Sequence, residues 1–295
     1  MKKFYVFAAV AIAALASCTK SEVVYNQGQQ EIGFKAVTGA ITKAEQTSAT
    51  LDGTMGVFAF IHGETTGYFG NTSFAKDGNV WKGNKYWPVT KSLDFAVYAP
   101  WVDGTTFESN MLKIATDNSA KTIIGDQIDY LYGAQYYTNS GSGYDKNTVS
   151  VPVTLKHAQA KVTVSFTGEN TTVTNVKLDA PILKGSCAVT YSSPIKVDWT
   201  PGAPNSAVTL IETADLSDTP ATASLLVVPE AKTSITFTYQ IDGSTTTLTH
   251  TITPDANWEH GTHYIYSIDI KPKEIKFTPT VDTTWGTGTT TPVTL

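Results

Sequence analysis

The residue with the most definite chemistry stands early in the chain. Cys18 follows Leu15-Ala16-Ser17, and upstream lie two lysines, Lys2 and Lys3, and an apolar run over 4–14. A short cationic stretch, an apolar run too short to span a bilayer and a small-residue ending are the parts of an export signal. The Leu-Ala-Ser-Cys ending resembles a bacterial lipobox, in which the cysteine thiol takes a diacylglycerol and the chain is cut just before it. The expected signal peptide is 1–17, with Cys18 as the lipidated mature N-terminus. Each buried methylene of an acyl chain contributes about 0.8 kcal/mol, so several chains on one residue anchor a protein at a membrane without a spanning segment.

Other candidate groups fail on spacing. His250, His260 and His263 are of the right type for zinc, but on a strand a separation of three sends His260 and His263 to opposite faces. No cysteine or clustered carboxylate completes a tetrahedral set. Asp126 and Asp129 are the kind of acids a glycosidase uses, yet they read as turn and edge residues. The spacings of a serine hydrolase, a phosphate-cradling loop and a zinc protease do not occur. Cys187, in Ser186-Cys187-Ala188-Val189, reads as a buried inert thiol. The expectation is a non-enzymatic chain with no metal and no cofactor. A second reading rests on Trp81, Tyr86, Trp87, Trp101, Tyr130, Tyr132, Tyr136, Tyr137 and Tyr144, which could stack on a glycan; core and strand-edge packing accounts for most of them.

Composition narrows the partners. Charged residues make up 16% of 295 residues, the net charge is -5, and all 21 basic residues are lysines. Without arginine the chain lacks the side chain best shaped for bidentate phosphate binding, and its acidity gives no reason to approach nucleic acid. Thr, Ser, Gly, Val and Tyr dominate, which suits strands. No segment of the mature chain sustains a helical period.

The elements that must position any site are therefore strands. After a polar tether over 18–30, Ile32, Phe34 and Ala36 alternate with polar or small neighbours and predict a first strand over 31–37. Further strands are predicted over 56–62, 67–74, 79–86, 93–99 and 130–137, with Gly83-Asn84 among the turn pairs. A β-branched run over 149–166 breaks at His157-Ala158-Gln159-Ala160, the best domain boundary. Beyond it come strands over 173–178, 187–191, 224–228, 233–241 and 245–252, the last two joined by the hairpin signal Asp242-Gly243. The reading is all-β: two β-sandwiches in tandem, over 31–157 and 158–295.

The segment Trp258 to Ile270, with Ile275-Lys276-Phe277-Thr278-Pro279-Thr280-Val281 and Trp285 behind it, resembles the C-terminal signature of fimbrillin-like lipoproteins of the Bacteroidia. Phe95-Ala96-Val97-Tyr98-Ala99-Pro100, Asp129-Tyr130-Leu131-Tyr132-Gly133-Ala134 and Leu155-Lys156-His157-Ala158 resemble the internal motifs of the same family. That resemblance implies two transthyretin-like Greek-key sandwiches and a structural subunit of a surface fimbria, anchored in the outer membrane through Cys18 and partnered by other fimbrial subunits. It also implies assembly by strand exchange. The strand carrying Ile32, Phe34 and Ala36 is the removable one, and the tail with Val293 and Leu295 two apart is the donor. The family's cleavage loop commonly presents arginine; here Lys43-Ala44 stands in the matching loop. The alternative is a surface glycan-binding lipoprotein of a polysaccharide-uptake system, and host or bacterial surface glycans or proteins complete the expected partners.

Overall fold

Period-two alternation decides which face of each segment is buried, and it starts at the first described residues. The computed structural model describes residues 29–38, 53–64, 66–217, 219–229, 232–241, 244–271 and 274–282. Cys18, Lys43, Ala44, Asp242-Gly243, Val293 and Leu295 lie outside them. The strands before residue 157 are β1 (Glu31–Thr38), β2 (Thr54–Ile61), β3 (Gly67–Asp77), β4 (Val80–Tyr86), β5 (Leu93–Ala99), β6 (Thr106–Glu108), β7 (Met111–Asp117), β8 (Leu131–Gly133) and β9 (Val151–His157). Those after it are β10 (Ala160–Gly168), β11 (Thr171–Leu178), β12 (Lys184–Thr190), β13 (Lys196–Pro201), β14 (Val208–Asp215), β15 (Ala221–Val227), β16 (Ile235–Ile241), β17 (Leu248–Ile252), β18 (His263–Lys271) and β19 (Glu274–Asp282). The all-β expectation holds.

Seven strands of the first half form one ladder in the order β1-β4-β3-β2-β5-β8-β9, and the ladder closes because β1 also pairs with β9. Its interior is filled by Phe34, Phe74, Trp81, Trp87, Phe95 and Val153, among others. Every residue of β5 is buried. That pattern requires cover on both faces: Leu93, Phe95 and Val97 point into the barrel, while Ala96 and Tyr98 meet a second core outside it.

The outer cover is the sheet β13-β12-β7-β6, built from both halves of the chain. Strand β12 lies beyond residue 157, yet it pairs antiparallel with β7, with Cys187 opposite Ile114. Cys187 is buried there as the sequence suggested. Tyr98 shows how tightly this cover fits, because its ring lies where a side chain on Gly56 would be, 1.9 Å from an added Cβ. Only glycine permits that approach.

The remaining strands make two facing four-stranded sheets, β15-β10-β18-β19 and β14-β11-β16-β17. Val162, Val164 and Phe166 from one sheet meet Val173, Val176 and Phe237 from the other, the two-layer solution for half-apolar sheets. On the outer face of β10 and β18, His263 Nε2 lies 2.7 Å from Thr163 Oγ1, which lies 2.7 Å from Ser224 Oγ. Burial, with the Lys161 ammonium behind it, pushes the His263 pKa down to about 4. The unfolded chain therefore binds a proton that the folded one refuses between the ordinary histidine value and about 4. Stability is complete above pH 6.5 and is lost as the pH falls toward 4, by at most about 3 kcal/mol. His263→Gln should flatten urea-denaturation stability across that window; an unchanged pH slope would remove His263 from the account.

Three local expectations change. Gly83-Asn84 is not a turn between strands but lies inside β4, where Asn84 has φ +53°. Gly83 is there because the Phe74 ring would stand 2.7 Å from a Cβ. The predicted strand over 130–137 shortens to β8, since the Tyr137 hydroxyl takes the Ala134 and Thr154 amides and replaces a ladder. Asp129 is neither a turn nor an edge residue, because it is buried against His157, 2.9 Å from Nδ1.

Candidate assembly site

The structure brings Ile32, Phe34 and Ala36 together on the inner face of β1, where all three are buried. They are the consequence of a period-two pattern in a strand with one apolar face. Phe34 is the centre of the set. Its ring meets Phe74 at 5.1 Å and Phe95 at 5.0 Å between centroids, both nearly perpendicular, the favoured edge-to-face arrangement.

Backbone pairing holds the strand on both sides. Phe34 stands opposite Trp81 in the antiparallel partner β4 and opposite Val151 in the parallel partner β9. At the leading end, the Trp87 amide donates to Gln30 O at 3.0 Å, the Gln30 side chain donates to Thr148 O at 3.1 Å, and the Asn84 amide donates to Glu31 Oε1 at 3.0 Å. Burying side chains of this size contributes about 1.5–3 kcal/mol each. Lifting β1 out would open the ring, empty an apolar slot and expose the edges of both β4 and β9, a combination that invites another strand. The residues expected at the cut, Lys43 and Ala44, follow β1 but lie outside the described residues, as do Val293 and Leu295 of the tail.

The groups considered for other chemistry are scattered. His250 packs on Phe237, His260 on Tyr132, and His263 bonds Thr163; among the described residues no cluster of three or more potential metal ligands forms. Asp126 is exposed at a short turn while Asp129 is buried. Of the aromatic residues considered for glycan stacking, Trp81, Trp87, Tyr130, Tyr132 and Tyr137 are buried in the cores. Sequence reasoning passed over Gln127, whose Oε1 accepts from the Leu226 amide at 2.6 Å and whose Nε2 donates to Leu226 O at 3.0 Å. A lone glutamine ahead of a motif carries no signal of that role. No helix among the described residues is long and apolar enough to cross a membrane.

Comparison with known proteins follows the same lines. The profile of the fimbrillin-like family matches residues 42–285. The chain belongs to the fimbrillin-like family. The match begins after β1, so the strand that closes the barrel precedes the matched segment. The fimbrillin-like fold recurs in a candidate cell adhesion protein from Bacteroides uniformis, with a TM-score of 0.55 at 19% identity, covering 85% of this chain and 98% of that one. A second candidate cell adhesion protein, from Bacteroides ovatus, gives 0.54 at 15% identity, over 86% of this chain and 96% of that one. The tip fimbrial protein Mfa3 from Porphyromonas gingivalis, with C-terminal truncation, gives 0.47 at 10% identity, over 85% and 97%. No curated protein sequence matches this fimbrillin-like chain.

Proposed function

We propose that this fimbrillin-like chain is a structural, non-enzymatic subunit of a cell-surface fimbria that joins its neighbours by strand exchange at the slot occupied by β1. The observation that carries the reading is the closure of the barrel by a single N-terminal strand lying ahead of the family-matched segment. A cut at Lys43-Ala44 severs β1 from β2, leaving β1 held by pairing and burial alone. A neighbour's tail, with Val293 and Leu295 projecting to one face, then restores the backbone bonds and the buried surface. Repeated head to tail, such a contact does not close on itself and produces a filament. The two units divided at residue 157, the lipid on Cys18 and delivery through the outer membrane belong to the same reading.

Two changes should behave alike. Lys43→Ala keeps the resident strand in place, and deletion of residues 290–295 removes the donor; each should leave folded monomers and no SDS-resistant ladder on unboiled gels. If a lysine-specific protease removes everything up to Lys43 and the product stays monomeric by light scattering, strand exchange fails. The anchor has its own check. Cys18→Ser should abolish incorporation of an alkyne fatty acid, and labelling that survives the change rules out the lipid on Cys18.

A further inference from the structure

The second sandwich is open along one edge. Strands β17 and β19 end their sheets on the same side, and a groove of about 150 Å³ lies between the segment around Ala256 and the inner face of β19, floored by Tyr264, Tyr266, Phe277, Pro279 and Val281. Phe277, Pro279 and Val281 stand opposite Ile268, Tyr266 and Tyr264 in the ladder, so they share the core-facing side of the sheet. They remain half-exposed. The Tyr266 and Phe277 rings stack at 5.8 Å with their planes 8° apart, and Tyr266 is fixed by the Trp258 indole, which donates to its hydroxyl at 2.9 Å. The floor is thus aromatic and half-exposed along β19, with Asp255 among the residues that line it.

We infer that this groove is filled by Trp285 of the same chain, which anchors the root of the C-terminal tail. Strand β19 ends at Asp282, paired with His263 at the start of β18, so the chain leaves the sheet beside Tyr264 and Val281 at one end of the groove. Trp285 is three residues further on, within about 10 Å of extended chain. The family match runs past β19 and ends at Trp285, so this residue lies within the matched segment. An indole suits the site, burying a large apolar face on aromatic walls while its N–H has an acceptor in Asp255 among the lining residues. Gly286 and Gly288 follow at once and let the remaining tail turn away at little steric cost. This anchoring holds or fails independently of strand exchange, because it concerns the tail's own subunit.

Two measurements on the full chain carrying Cys18→Ser test it. The emission difference between that protein and its Trp285→Phe derivative should be blue-shifted and several-fold less quenched by acrylamide than free N-acetyltryptophanamide, and it should stay so on dilution. Ala256→Cys with Gly286→Cys should form an intrachain disulfide under copper–phenanthroline at every protein concentration. A difference spectrum quenched like the free indole overturns the inference. So does a link that forms only between chains, which would assign the groove to a second copy, and so does the absence of any link in a folded protein.

Discussion

Phe34→Ala should lower the stability of the fold by about 3–5 kcal/mol, the range for truncating a buried phenylalanine. The side chain is fully buried and touches two rings edge-on, so the substitution leaves a cavity in the barrel and breaks two aromatic pairs. The loss falls on the strand proposed to leave. Urea titration should show the reduced midpoint, and a lysine-specific protease should strip β1 faster from the variant than from the parent. If stability falls by under about 1 kcal/mol, or if stripping is no faster once the loop is cut, β1 is not held chiefly by its inner face.

The second large effect is predicted at a place where the two halves of the chain are stitched. Gln127 gives and takes one bond each with the backbone of Leu226 in β15. Strand β15 is at the edge of its sheet, and the glutamine side chain does there what a further strand would do. Gln127→Leu keeps the volume but leaves a buried N–H and a buried C=O without their partner, at about 1–3 kcal/mol for each group. A loss of about 2–5 kcal/mol is expected in urea, together with concentration-dependent association as the uncovered edge finds other strands. A change within about 0.5 kcal/mol would mean that water replaces the amide without penalty.

Much of this was legible because alternation is a local signal. Strand β5 spans 93–99 as read, and β9 follows its buried-exposed pattern residue by residue. The inner set of β1 was legible for the same reason. The pattern over Leu112, Ile114 and Thr116 is equally regular and marks β7, although none of the predicted strands covers it. Pairing between distant segments leaves no such trace. Nothing near residue 34 announces that it will lie beside Val151, nor does anything near 114 announce Cys187. The groove under β19 escaped for a related reason. Phe277, Pro279 and Val281 read as an ordinary strand face until they are seen to stay half-exposed along a groove.

The mixed pairing of β1 bears on the polarity that the proposed strand exchange would give a filament. Because β1 runs against β4 and along β9, the two walls of its slot point in opposite directions. An incoming strand makes one antiparallel and one parallel ladder whichever way it enters, so the main chain is indifferent to orientation. Direction must then be read from side-chain size alone. The pockets run isoleucine, phenylalanine, alanine, a sequence that is not the same backwards, and a donor bringing only two apolar residues spaced two apart samples just part of it. The large central pocket and the small terminal one are therefore what distinguish a subunit added head-to-tail from one added upside down. Those pockets are lined by residues that stay when β1 leaves, Phe74 and Phe95 around the Phe34 site among them, so equalising the pockets from that side would erase the vector of the proposed fibre before it weakened the joint.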